Sequence, residues 1–183
     1  MIIAVIGGIG SGKSSVLRML ENLGFRVCDC DKIYNQVCER EDYIGKVGEV
    51  FNVVKDGKID KARLGDIVFA DKARLRLLNS LAHPYVFDKI NEIYLQDNSP
   101  LFVEVSAFDR SMKDKFDLIV LVKSSSDKRV QRVKLRSGYS EDRVLSIISQ
   151  QISEEEGEAL ADFVIVNDGD LEALREQVER LKI

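Results

Sequence analysis

Histidine, cysteine and concentrated positive charge are scarce in this 183-residue sequence. There is one histidine, His83, and there are three cysteines, Cys28, Cys30 and Cys38. The cysteines are odd in number and no two stand in C-x-x-C spacing, and with a single His a zinc site is not expected. They read as reduced thiols, partly buried as small apolar residues. Lys and Arg total 27 against 31 Asp and Glu, a net charge of −4 with no basic block. That argues against nucleic acid as the main partner, because a phosphate backbone is neutralised by clustered cations. A local cationic site for a small phosphorylated ligand stays open. No apolar run approaches the ~20 residues of a membrane span. The run Ile2–Ile6 ends in glycines, and it lacks the basic flank and length of a signal peptide. The expected location is therefore the cytoplasm. Internal repeats and low-complexity linkers are absent too. What remains is an ordinary globular composition, 45% hydrophobic and 32% charged, of a length that suits one α/β domain with small appendages.

The chain opens with a β-branched run, Ile2–Ile6, then a glycine-rich stretch, then a helical pattern with Val16, Leu17, Leu20 and Leu23 on one face and Gly24 as its C-cap. A second strand, Phe25–Cys30, ends in the acidic pair Asp29 and Asp31. From about Lys32 to Asn98 no core-type strand is evident. Lys55-Asp56-Gly57-Lys58 reads as a turn, between amphipathic stretches carrying Leu64, Ile67 and Val68 and then Leu75, Leu78 and Leu81. Further strands are expected at Leu101–Val105, Leu118–Val122 and Phe163–Val166, and a closing helix at Leu171–Leu181. Ser126–Glu158 is polar and helical with thin apolar content, and is expected to project from the body and move. Strands separated by helices imply a parallel sheet covered on both faces.

Gly7-x-x-x-x-Gly12-Lys13-Ser14 satisfies G-x-x-x-x-G-K-S/T in full, between a strand and a helix as the motif requires. Across Gly8, Ile9, Gly10, Ser11, Gly12 and Ser15 the small residues let backbone N–H groups approach phosphates, and the helix beginning near Lys13 points its positive end at the same anion. Lys13 would reach the β- and γ-phosphates of ATP, and the Ser14 hydroxyl would ligate Mg²⁺. A dinucleotide fold fails for want of a correctly spaced G-x-G-x-x-G. A GTPase fails for want of Asn-Lys-x-Asp; Asp42-Tyr43-Ile44-Gly45 is a loose D-x-x-G match in the wrong place.

The consistent reading is a compact phosphotransferase with a phosphate loop, a substrate-binding insertion and a lid. It needs a carboxylate for the acceptor hydroxyl and oxygen ligands around Mg²⁺. Asp31, at the end of the second strand, is the candidate base. Asp29 either supports it or caps the following helix. Glu104 either faces a Mg²⁺-bound water or sits in an ordinary strand position or ion pair. Arg132 and Arg136, four apart on one helix face, are candidates to neutralise phosphoryl charge, with Arg129 and Arg143 as alternatives.

These residues resemble dephospho-CoA kinases. Gly7–Ser14 followed by Asp29-Cys30-Asp31 is similar to the family's GGIGSGKS loop and D-A-D strand end. The resemblance continues through Asp56-Gly57, Ile59-Asp60, Leu64, Val68-Phe69, Asp71 and Arg74, and His83-Pro84 matches its HP element. Arg132 and Arg136 match an R-x-x-x-R lid, Gln151 the glutamine after it, and Ala161-Asp162, Ile165, Asn167 and Gly169 the closing A-D-x-x-I-x-N-x-G. It implies a three-layer α/β P-loop kinase fold with a five-stranded parallel sheet. Residues 1–30, 99–125 and 159–183 would form the core of a single domain, 31–98 the helical CoA-binding insertion, and 126–158 the lid. It further implies ATP-dependent phosphorylation of the ribose 3′-hydroxyl of dephospho-CoA, with Mg²⁺, by an expected monomer, oligomers remaining open. Asp31 would be the base and Arg74 and His83 would contact the substrate, with His83 equally readable as a helix-start residue beside Pro84. Asn167 would lie near the adenine, or simply end a strand with Gly169 in a turn. The chain departs from the family pattern twice. Ser106-Ala107-Phe108-Asp109 replaces Pro-Leu-Leu, an aromatic and Glu, and Gly157 stands where a basic residue follows the lid glutamine. A nucleoside or nucleotide kinase, or a non-catalytic nucleotide-binding relative, are the competing readings.

Overall fold

The structure, a computed structural model, describes residues 1–181. Positions 182–183, the end of the expected core segment, lie outside the described residues. In chain order the elements are β1 (Ile2–Ile6), α1 (Lys13–Asn22), β2 (Arg26–Asp29), α2 (Cys30–Val37), α3 (Glu41–Phe51), β3 (Val54–Lys55), β4 (Lys58–Ile59), α4 (Lys61–Ala70), α5 (Lys72–Tyr94), β5 (Leu101–Glu104), a 3₁₀ turn (Arg110–Lys115), β6 (Leu118–Lys123), α6 (Ser126–Ser137), α7 (Glu141–Gln150), α8 (Glu154–Leu160), β7 (Phe163–Val166) and α9 (Leu171–Glu179). They divide into two units: Met1–Asp29 with Gln96 onward, and Cys30–Leu95.

In the first unit five strands form one sheet, ordered β2-β5-β1-β6-β7, with every pairing parallel. A parallel sheet is covered on both faces, which is why β1 reads Ile-Ile-Ala-Val-Ile without alternation and is buried throughout. Side chains still alternate across the sheet. Ile3 and Val5 pack with Phe102, Val120, Val122 and Ile165 against Val16, Leu17 and Leu20 of α1 and Leu174 and Val178 of α9. Burial of each such Val or Leu is worth ~1.5–3 kcal/mol, so this layer anchors α1 firmly behind the loop that precedes it. Leu121 points to the opposite face, where α8 closes on it at Gly157: a Cβ there would lie 3.2 Å from Leu121 Cδ1.

The polar segment 126–158 does not stand away from the sheet, as its thin apolar content suggested. Val130, Val133 and Val144 form a small core with Ile9, Tyr139 and Ile148, and few apolar residues suffice because a buried arginine and a glutamine bond the backbone beneath them.

The second unit is helical apart from the β3–β4 hairpin. Its turn, Asp56-Gly57, holds φ of 50° and 72°, the paired positive angles that Asp-Gly supplies to two-residue hairpins. Asp60 caps α4 through the Arg63 N–H and Asp71 caps α5 through the Ala73 N–H. In α5, Leu78, Ala82, Val86 and Ile90 are buried at four-residue spacing, so one stripe carries the packing. His83-Pro84 lies inside this helix rather than at a helix start. The apolar stripe continues through the proline, so packing outweighs the lost N–H.

Candidate functional site

The loop after β1, the central strand, lies where neighbours diverge to β5 on one side and β6 on the other, the position at which open α/β sheets bind ligands. Gly12 takes φ 102° and ends the loop as N-cap of α1. An L-residue would be strained there, and a Cβ would also overlap the Asn167 amide. The N-terminal end of α1 therefore begins at the loop, and the positive end of a helix is a ready anion site. Lys13 is 7% exposed, its ammonium 2.9 Å from Gly7 O and 3.5 Å from Gly8 O. Beside it Ser14 Oγ stands 3.2 and 3.3 Å from the two carboxylate oxygens of Glu104. Register explains the meeting: Glu104 ends β5 opposite Val5 of β1 and Asp29 of β2, so it emerges at the loop's level.

The other wall comes from the ends of β6 and β7. Asn167 is 8% exposed, and its Nδ2 donates to Ser11 O at 2.8 Å. Arg132 donates to Gly10 O (3.3 Å), Ser124 Oγ (3.1 Å) and Asn167 O (2.8 Å). Asp168 accepts from Ser124 Oγ at 2.7 Å and from Ser125 N–H at 2.9 Å. It thereby caps α6 where the Ser125 side chain makes no capping bond. The Ser125 N–H and then the Ser124 hydroxyl hold the Asp168 carboxyl below the usual range. These groups border an open pocket of about 230 Å³ lined by Gly12, Ser15, Arg132, Asn167, Leu171 and Leu174. A lining that combines a guanidinium with two leucines suits a flat heteroaromatic ring.

Two further residues, Arg129, an alternative candidate for phosphoryl charge, and Gln151, the glutamine after the lid arginines, also bond this loop. Arg129 is 7% exposed, with Nε 2.9 Å from Ile9 O and Nη1 3.7 Å from a carboxylate oxygen of Glu154. Burial pushes its pKa below the ordinary value and Glu154 partly offsets that. Gln151 Oε1 accepts the Ile9 N–H at 2.7 Å. The signal was present in the spacing: Arg129, Arg132 and Arg136 follow at three and four residues along α6.

The remaining residues singled out from the sequence are found as follows. Asp31 does not end β2; the strand stops at Asp29, and Asp31 lies exposed in the first turn of α2, where an acid suits the helix's positive end. It belongs to the second unit, as do Arg74, ion-paired with Asp71 at 3.8 Å, and His83, edge-on to Phe87 with ring centroids 5.8 Å apart. Arg136 is exposed and, unlike Arg132, makes no hydrogen bond or ion pair among the described residues. Arg143 stacks over Tyr139, 4.0 Å from the ring centroid. Asp109 serves as a local cap for Ser111, donor distance 2.7 Å, while Phe108 packs with Phe116. Burial pushes the Cys28 thiol up to about 12 and Cys38 upward too, so neither is a ready thiolate nucleophile.

For a metal, the test is the donor set. Among the described residues no three His, Cys, Asp or Glu gather as ligands. Ser14 Oγ and Glu104 offer hard oxygen donors side by side, which fits Mg²⁺, an ion that takes few protein ligands and keeps phosphates and waters.

The sequence model of the dephospho-CoA kinase family matches residues 1–173. The dephospho-CoA kinase of Carboxydothermus hydrogenoformans is 36% identical over 186 residues, covering 97% of this chain and 90% of that protein. Among solved structures, a Thermus thermophilus protein superposes with a TM-score of 0.84 at 32% identity, covering 98% of this chain and 94% of the other. The dephospho-CoA kinase of Campylobacter jejuni gives 0.68 at 27% identity, covering 97% and 93%.

Proposed function

The chain belongs to the dephospho-CoA kinase family, and from that premise we propose that it transfers the γ-phosphoryl group of ATP to the ribose 3′-hydroxyl of dephospho-CoA, releasing CoA and ADP. The observation that carries this reading is the phosphate loop with Lys13 and the Ser14–Glu104 pair at its end, in a chain that matches the family from residue 1 to 173. Among the described residues no helix is long and apolar enough to cross a membrane. A cytoplasmic location is part of the proposal.

In this reading the backbone N–H groups of Gly10–Ser15 receive the phosphates. Lys13 leaves the carbonyls of Gly7 and Gly8 for phosphate oxygens, an exchange of neutral acceptors for charged ones. Arg132 and Asn167 border the pocket for the adenine, with Arg136 available from the same helix for phosphoryl charge. Ser14 and Glu104 would hold Mg²⁺, whose charge would screen the phosphates when bound. Asp31 takes the proton of the acceptor hydroxyl as its oxygen bonds to the γ-phosphorus and the bond to the ADP oxygen breaks. Arg74 and His83 are assigned to the CoA precursor, in the unit we read as its binding region.

Asp31→Asn tests the assignment of the base. It should reduce turnover at least ~10²-fold, the scale of a lost general base, while the dissociation constant for ATP stays within about twofold by calorimetry. Turnover close to the parent's would remove Asp31 from that role.

A further inference from the structure

Resting on the reading above, we infer that Arg129 and Gln151 are positioning residues for the phosphoryl donor: together they clamp the Ile9 backbone and set the phosphate loop's shape. Both backbone polar groups of Ile9 are held by side chains of the segment that follows β6. Gln151 Oε1 accepts its N–H at 2.7 Å, and Arg129 Nε donates to its C=O at 2.9 Å. The Ile9 side chain packs on the Val130, Val133 and Val144 cluster of the same segment. One residue of the loop is thus fixed at three points, between two glycines.

Those glycines carry the second observation. Gly8 has no positive φ, so backbone conformation alone does not demand glycine there. A Cβ on Gly8 would overlap the Arg129 guanidinium, lying 2.6 Å from Cζ, and would sit 3.0 Å from Gln151 Oε1. At Gly10 a Cβ would lie 2.6 Å from Arg129 O and 3.0 Å from Val133 Cγ2. Space at both positions is used to let the arginine and its helix close on the loop. Arg129 also places fixed positive charge on one side of the Gly8 peptide, while the Lys13 ammonium is 3.5 Å from Gly8 O. Its ion-pair contact with Glu154 at 3.7 Å is long, so Glu154 offsets that charge only in part. Phosphates entering the loop therefore meet a backbone already held in place at Ile9, which lowers the ordering cost of binding.

A purely structural clamp would lower stability and disturb every ligand alike. A positioning clamp acts on ligands in proportion to the phosphates they place in the loop. The test is calorimetry of ATP, ADP and AMP, with the KM for dephospho-CoA and a thermal melt, on Gln151→Leu and Gln151→Glu. Gln151→Leu leaves the Ile9 N–H without its acceptor and should weaken ATP and ADP binding about tenfold, the scale of one lost buried acceptor. AMP affinity and the acceptor KM should stay within about twofold, since neither draws on the loop's β-phosphate donors. Gln151→Glu keeps an oxygen for Ile9 and should restore ATP binding to within about threefold. Gly8→Ala supplies a second line, because its cost should shrink in an Arg129→Ala background, where the clashing group is gone. If Arg129→Ala fails to fold, the Gln151 pair still decides. Unchanged ATP affinity in Gln151→Leu, or equal weakening of ATP, AMP and acceptor, overturns the clamp. Failure of the unaltered protein to bind ATP would overturn the proposed function itself, so the two failures are distinct.

Discussion

Arg132→Ala removes three hydrogen bonds at once, to Gly10 O, Ser124 Oγ and Asn167 O, at 3.3, 3.1 and 2.8 Å. These acceptors belong to the phosphate loop and to the ends of β6 and β7, so one guanidinium ties three strand ends around one pocket. A hydrogen bond from a charged donor is worth ~1.5–3 kcal/mol net, but one of the three is long and the side chain is only half-buried, so a total of about 2–4 kcal/mol is expected. Part of this falls on the fold: each ~1 kcal/mol lowers Tm by roughly 2–4 °C in a chain of this size. The remainder, about 1.5–3 kcal/mol, falls on nucleotide binding and raises the KM for ATP between roughly tenfold and a hundredfold. Steady-state kinetics at saturating acceptor, with a thermal melt beside it, separates the two parts. Arg132→Lys should recover little, since the bonds are made from two separate guanidinium nitrogens and a single ammonium nitrogen cannot occupy both positions. An ATP KM within about twofold of the parent in Arg132→Ala would refute the argument that this residue builds the pocket.

Glu104→Gln keeps a polar partner for Ser14 and deletes the charge. It should lower kcat by ~10²-fold or more and raise the Mg²⁺ concentration needed for half-maximal rate, read by a Mg²⁺ titration. An unshifted titration would remove Glu104 from the metal site. Leu20→Ala, in the layer between α1 and the sheet, should cost about 2–5 kcal/mol in denaturant unfolding. A loss below ~1 kcal/mol would contradict its place in that core.

How much was legible in the sequence depended on how local the physics is. β1 and the loop after it were readable because a buried parallel strand is continuously apolar and the Gly7–Ser14 motif is fixed by short-range sterics. The Asp56-Gly57 turn and the strand Phe163–Val166 were readable for the same reason. The end of β2 was not: Cys30 and Asp31 fit either a strand end or a helix start, and tertiary context places them in α2. His83-Pro84 suggested a helix boundary by local rules, yet the stripe Leu78, Ala82, Val86 and Ile90 carries α5 through it. Segment 126–158 looked too polar to pack because its main attachments are not apolar. They are the bonds of Arg129, Arg132 and Gln151 to backbone atoms more than a hundred residues away, which no local pattern encodes. Of the site, Ser14 and Glu104 do come together, and Asn167 reaches the loop; Arg132 and Arg136, expected as a pair, have different surroundings.

Transfer to dephospho-CoA is decided by ADP release from Mg·ATP by the purified protein, with and without dephospho-CoA, and chromatography of the products. ADP release is expected to depend on dephospho-CoA and to be matched mole for mole by CoA. ATP binding with no CoA formed, or ADP release indifferent to dephospho-CoA, would contradict it.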